Sequence, residues 1–339
     1  MPPSSLIRNL IAGELKQNFI ITSSGEAHAN ILGGSLTQAA VGLKIWEQDH
    51  GGLISRVGED FPRQWIKDLQ DLNFDTQGIR ILPNALDLRQ FHNYYDSDAA
   101  QNENPVASYV ELGLPFPKAL LGYAPPLQEI DSRTRTGEDP IRINDVPEHY
   151  LDASAAHLCP LDFHSHQFLI SLFMQNKINT LTLDPGEGYM HPIFWDDLSL
   201  LLNGITAFQV SEEKLHAIFR GRTTDLGEMA EELARFGCEI IIIKRKARGQ
   251  MIYNHASHEH WDIPAYPSDV KDPTGAGDAF GGGFLAGFRK TYDPVEASLY
   301  GNISASLVIE GSPPFYAIDA MPGLAEARLE SLRGMARKV

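Results

Sequence analysis

Asp272-Pro273-Thr274-Gly275-Ala276-Gly277-Asp278-Ala279-Phe280 is the stretch on which the reading turns. Gly275 and Gly277 flank an alanine just ahead of a small-residue helix expected over 278–289. Glycines there let the backbone curl so that successive N–H groups face one concavity, and a helix N-terminus with such a nest attracts anions. Asp278 stands at its mouth, where a carboxylate can accept a proton from an alcohol. An anion cradle beside a base suits phosphoryl transfer to a hydroxyl. The same residues also fit an N-cap aspartate after a glycine turn. A dinucleotide fingerprint fits less well, because Phe280 occupies the place of its third glycine.

Moving outward, Thr180-Leu181-Thr182-Leu183 is a β-rich run ended by Asp184-Pro185-Gly186. A helix over 191–203, a strand over 205–210 and a helix from Ser211 follow. Leu226, Met229, Ala230, Leu233 and Ala234 form an amphipathic stripe behind an Asp225/Glu228 capping box. Ile240 to Ile243 is uninterrupted and apolar, as for a strand buried on both faces of a parallel sheet. This alternation predicts a doubly wound α/β architecture. In the N-terminal third, Phe19-Ile20-Ile21-Thr22 and residues 88–95 are strand-like, with helices expected over 36–48 and 61–73. The 88–95 run carries Leu88, Gln90, His92 and Tyr94 on one face and Arg89, Phe91, Asn93 and Tyr95 on the other. Residues 96–145 are polar and turn-rich, expected to be mainly loop with a strand at 108–112, and long loops often serve as lids.

The chain has 339 residues, and its 28 Lys plus Arg against 44 Asp plus Glu give a net charge of −16. That balance argues against a general nucleic-acid or anionic-membrane surface, though not against a local phosphate site. Cys159 and Cys238 make no disulfide framework, and a reducing cytoplasm is the expected home. No Walker A, His-Glu-x-x-His or Gly-x-Ser-x-Gly sequence occurs. His255, His258 and His260 fall at an expected hairpin tip and read as exposed turn residues rather than a zinc site.

On these motifs the sequence resembles the ribokinase-like PfkB carbohydrate kinase family. Residues 272–278 differ from its Asp-Thr-x-Gly-Ala-Gly-Asp signature only at Pro273. Gly33-Gly34 before a helix, Ile54 to Phe61, Leu183-Asp184-Pro185, the helix start at Ser211 and the 243–249 stretch follow in family order. The resemblance implies a three-layer α/β/α sandwich with a mostly parallel sheet. One domain would span the chain, with a small β lid from about 14–35 and 86–112. It implies ATP and Mg²⁺, and K⁺ in those members that use it, at a site near Asp272. Asp278 would be the base, and the backbone of Gly275, Ala276 and Gly277 would hold the transferring phosphate. Asn18, Gly33, Gly34 and Gln38 would bind the acceptor; Lys244, Gly249 and Asn302 would bind the nucleotide. A homodimer through the lid is also implied.

Departures from the family pattern sharpen the question. Asn18 stands for an Asp, Gln38 for an Asn, Ser211-x-x-Lys214 for Asn-x-x-Glu, and Lys246 for a Gly. Either Lys214 and the 244–248 cluster meet nucleotide phosphates directly, or the nucleotide site has decayed. The first expectation is therefore an ATP-dependent kinase for a hydroxyl of a sugar, sugar derivative or nucleoside. The second is a kinase-like protein that senses such a ligand.

Overall fold

Ile240 to Ile243 is the middle of the molecule. Ile241 and Ile243 pack into one apolar layer, and Ile240 and Ile242 into another. A strand's side chains alternate between faces, so four consecutive isoleucines demand helices on both sides. The computed structural model supplies them and describes residues 7–95, 100–126, 129–134, 140–312 and 314–339.

The strands are β1 (Asn9–Ala12), β2 (Lys16–Ile21), β3 (Ala27–Gly33), β4 (Gly51–Val57), β5 (Phe74–Ile81), β6 (Arg89–Asn93), β7 (Ala155–Leu158), β8 (Thr180–Leu183), β9 (Ala207–Ser211), β10 (Ile240–Lys244), β11 (Gln250–Asn254), β12 (Glu259–Ile263) and β13 (Arg337–Lys338). The helices are α1 (Ser35–Lys44), α2 (Arg63–Asp71), α3 (Pro105–Glu111), α4 (Phe163–Gln175), α5 (Trp195–Leu202), α6 (Glu212–Ile218), α7 (Leu226–Ala234), α8 (Ala276–Thr291), α9 (Pro294–Val308) and α10 (Leu324–Arg333). Ten strands form one sheet in the order β13-β12-β11-β10-β9-β8-β7-β1-β4-β5. It is parallel from β10 to β5 and antiparallel from β10 outward to β13. α4 to α7 cover one face; α1 and α8 to α10 cover the other. This is the expected three-layer sandwich.

The caps explain several boundaries. Ser211 accepts from the Lys214 N–H and Asp225 from the Glu228 N–H, starting α6 and α7 where the sequence suggested. Glu228 does not close the expected box on Asp225. It takes the Thr223 hydroxyl at 2.6 Å, and Thr223 in turn receives the Asp225 N–H. The strand expected at 108–112 is instead helix α3. Asn104 caps it by accepting from Ala107, Pro105 occupies its first turn, and Tyr109 is buried.

β3, β2 and β6 form a separate small sheet. β2 and β6 run parallel, pairing Asn18 with Gln90, Phe19 with Phe91 and Ile20 with His92. Phe19, Ile21 and Phe91 pack under Tyr109 and Leu120, so α3 and the chain after it cover the outer face. The two-sided pattern of 88–95 therefore has an apolar partner within the chain.

α8 presses against α1 through its glycines. A Cβ on Gly282 would lie 1.8 Å from the Ala39 carbonyl oxygen, and neither backbone can yield cheaply. Gly282→Ala is expected to cost about 2–3 kcal/mol, at the upper end for overpacking, read as a lower urea midpoint. A loss under about 0.5 kcal/mol, the range of a neutral surface change, would show that α8 can slide.

Candidate active site

A cavity of about 270 Å³ opens between the small sheet and the N-terminus of α8. It lies at the carboxyl ends of β1 and β7, where open α/β sheets bind ligands. Asn18, Gln90, His92 and Tyr94 line it from the small sheet; Gly34, Ser35 and Gln38 from the entry to α1; Thr274, Gly275 and Asp278 from the loop into α8. Residues distant in sequence thus meet at one point.

The glycines act by close approach. Gly34 adopts φ +95°, and a Cβ there would lie 2.3 Å from the Glu14 carbonyl oxygen. Gly275 adopts φ +76°, and its missing Cβ makes room for the Gln38 side chain. Gly33 lies beneath Asn18 rather than in the cavity wall. Thr274 donates its hydroxyl to the Tyr94 hydroxyl at 3.0 Å, tying the small sheet to the glycine loop. Asp272 is buried and accepts the Thr274 N–H at 3.0 Å. Burial pushes its carboxyl above the ordinary range. Its evident task is to shape the turn.

Asp278 is the third residue of α8. Burial, and then the nearby Asp184 carboxylate, push its carboxyl up to about 7, while Lys244 and Lys214 limit the rise. Among the described residues, no protein acceptor takes the N–H of Gly275, Gly277 or Asp278, whereas that of Ala276 reaches the Pro273 oxygen at 3.3 Å.

Behind this turn lies a charge cluster. Asp184, at the end of β8, is buried and bonded to Lys244, which also approaches the Gly277 carbonyl at 3.4 Å. Lys214 reaches Asp184 at 3.5 Å and the Pro185 carbonyl at 2.6 Å. Burial alone would raise the Asp184 carboxyl; the two lysines overcome it and hold the group below its usual value. His157 donates or accepts against Thr182 at 2.8 Å, and burial takes its ring down to about 3. In the sequence Asp184 stood out as part of a turn and of a stretch in family order, and His92 and Tyr94 only as strand residues. An acid directly after an apolar strand was the available signal for Asp184.

The expected nucleotide side divides. Lys244 lies beside the turn into α8. Gly249, at φ +81°, allows the chain to pass Ile263, where a Cβ would meet a carbonyl oxygen at 2.0 Å. Asn302, expected on the nucleotide side, bonds within the protein: its amide donates to Gln250 and Pro264, and its oxygen accepts from Tyr266. With its bonding used inside the protein, it holds the 264–266 segment rather than reaching a ligand. The basic 244–248 cluster also disperses. Arg245 pairs with Asp262, Arg248 with Glu212, and the exposed Lys246 with Glu213 at 2.7 Å. Lys246 also adopts φ +54°. A left-handed conformation costs a non-glycine residue roughly 1–2 kcal/mol, while an exposed ion pair contributes about 0–1. Lys246→Gly is therefore expected to raise stability by up to about 1 kcal/mol in chemical denaturation, an increase a decayed loop would not show.

His258 meets the Tyr253 hydroxyl at 3.0 Å and His260 meets Glu231 at 3.2 Å, at the β11–β12 turn. No group of three or more His, Cys, Asp or Glu among the described residues could hold a metal ion. No helix among them is long and apolar enough to cross a membrane.

Solved structures share this architecture. One is a putative ribokinase II from E. coli in complex with ATP and Mg²⁺, with a TM-score of 0.70, 19% identity, and coverage of 96% of this chain and 100% of that one. Another is a Burkholderia thailandensis nucleoside kinase in complex with inosine, with a TM-score of 0.66, 19% identity, and coverage of 96% and 99%. The fold is thus ribokinase-like. Residues 171–314 match the pfkB family carbohydrate kinase model. A cytidine kinase from Thermococcus kodakarensis is 26% identical over 270 residues, 80% of this chain and 82% of that one. The chain is thus similar to pfkB carbohydrate kinases over that stretch.

Proposed function

We propose that this enzyme transfers the γ-phosphoryl group of ATP to a hydroxyl of a small sugar, sugar derivative or nucleoside. The observation that carries this reading is Asp278: a carboxyl raised to about 7, lining a cavity, on the first turn of a helix with free N–H groups. A base poised near neutral pH takes a hydroxyl proton most effectively. The cytidine kinase and the inosine-bound nucleoside kinase among the similar proteins support the acceptor class.

Asp278 takes the proton of the acceptor hydroxyl as that oxygen attacks. The N–H groups of Gly277 and Asp278 and the Lys244 ammonium face the phosphoryl charge, which the helix N-terminus stabilises. Asn18 and Gln38 orient the acceptor from above, with β2, β3 and β6 as the lid. Mg²⁺ would be held chiefly by the nucleotide's own phosphates and water, because Asp184, the nearby carboxylate, is committed to two lysines. When bound, it supplies charge neutralisation of the phosphates.

The sensor reading is favoured by Lys214, whose ammonium is tied to Asp184 and Pro185. ADP release from Mg·ATP, scanned over sugars, sugar derivatives and nucleosides, separates the two. Turnover with one acceptor, lost in Asp278→Asn, supports the kinase. Ligand-induced thermal shifts without ADP release support the sensor.

A further inference from the structure

Asn18 Oδ1, Gln38 Oε1 and the ring nitrogens of His92 are buried without a well-formed hydrogen bond to the protein, and all three residues line the cavity. Asn18 is 2 % exposed, Gln38 7 % and His92 8 %. Buried polar atoms in native proteins are nearly always paired, so a group left without a well-formed bond on a cavity wall marks where a ligand's hydrogen bonds are made. Besides the Asn102 side chain, which approaches the ring, two contacts hold His92 in place. Its ring lies parallel to Tyr94 with centroids 6.1 Å apart, and its backbone is fixed in β6 against β2.

The charges around it define what it reads. Lys16 is the one cation among the lining residues, and Glu14 pairs with it at 3.1 Å. Asp278 is the remaining lining carboxyl. Lys244 and Lys214 lie behind the cradle and are engaged by Asp184. A phosphate on the acceptor would face two carboxylates and one neutralised ammonium. Burial also brings the imidazole down to about 4, against the opposing pull of Asn102, so the ring offers one donor and one acceptor but no charge at neutral pH.

We propose that His92 is the acceptor-selecting residue of this kinase, hydrogen-bonding from its ring to an uncharged polyhydroxyl ligand, in a pocket that refuses phosphorylated acceptors. The proposal rests on the kinase reading for its reaction, but not for its binding. His92 acts on the part of the ligand away from the reacting hydroxyl. Its loss is therefore read mainly in KM, unlike that of Asp278, which is read in turnover.

The test uses the full chain with cytidine, inosine, D-ribose, D-fructose and myo-inositol. Cytidine 3′-monophosphate and fructose 6-phosphate serve as anionic counterparts that keep a primary hydroxyl. His92→Phe keeps the ring and its stacking; His92→Asn restores a donor and an acceptor. His92→Phe is expected to raise the acceptor KM about 10–100-fold with kcat within about threefold, and His92→Asn to recover part of the loss. A neutral acceptor is expected to exceed its phosphorylated counterpart by at least about 100-fold in kcat/KM. An unchanged KM in His92→Phe with its melting temperature intact, or equal use of a phosphorylated acceptor, overturns the proposal. Calorimetric binding of the same compounds to Asp278→Asn separates the two readings. Neutral ligands that bind and are weakened by adding His92→Phe, without wild-type turnover, uphold the selector and sink the kinase. Turnover that is indifferent to His92 does the reverse. No binding by any compound overturns both.

Discussion

Asp278→Asn is expected to lower turnover by about 10²–10⁴-fold, the usual worth of a general base, while leaving acceptor binding nearly intact. The same change is expected to make the unliganded protein more stable above pH 7. The folded carboxyl is raised to about 7, whereas an unfolded Asp titrates near its ordinary value. Between those values the folded state holds the extra proton, so stability falls as pH rises through the window and stays reduced above it. A tenfold difference in proton affinity between the two states corresponds to roughly 1.4 kcal/mol; the partly exposed setting of a cavity wall reduces the effect, leaving about 1–2 kcal/mol for the amide to recover. The wild-type kcat/KM should fall as pH drops below about 7, since the base must be ionised, and Asp278→Asn should lose that limb. Normal turnover in the variant would remove Asp278 from the mechanism. A variant that is inactive but no more stable at pH 8 would mean that the carboxyl is not strained.

Lys244→Met is expected to be the most damaging single change to the fold near the site. It leaves Asp184 buried with Lys214 as its remaining cation, at 3.5 Å. Breaking one half of a buried ion pair costs about 3–5 kcal/mol, and Lys214 holds the loss near the lower end. Asp184 contributes stability that is present above its unfolded pKa and is lost as pH falls through its lower folded one. Without Lys244 the folded value rises, so the variant's deficit should shrink on acidification. Turnover should also fall about 10²-fold, the scale of one lost charge-stabilising group. Asp184→Asn together with Lys244→Met should recover stability but not turnover. A double-mutant cycle in chemical denaturation reads that coupling. Additive losses would show that the two residues are independent, and a full recovery of turnover would show that Lys244 serves only the fold.

Local sequence was enough for the sandwich and for the glycine turn into α8. Four consecutive isoleucines cannot be buried on one face only, and Gly275, at φ +76° against Gln38, takes a backbone that few other residues tolerate. These are local constraints, carried by neighbours in the chain. The Asn104-Pro105 cap of α3 was equally local; the expectation of a strand there passed over it.

What remained was decided by contacts between distant segments. Nothing near Asn302 in sequence shows that Gln250, Pro264 and Tyr266 will use its amide. Nothing near Lys214 or Lys244 shows that both will converge on Asp184. His92 alternates correctly on a strand, but its buried nitrogens and uncharged ring exist only because β6 lies beside β2 above α8. A periodic pattern states which face a residue occupies. Whether that face meets a helix, a charge or a ligand depends on segments brought together by the tertiary fold, and there the electrostatics of the site are set.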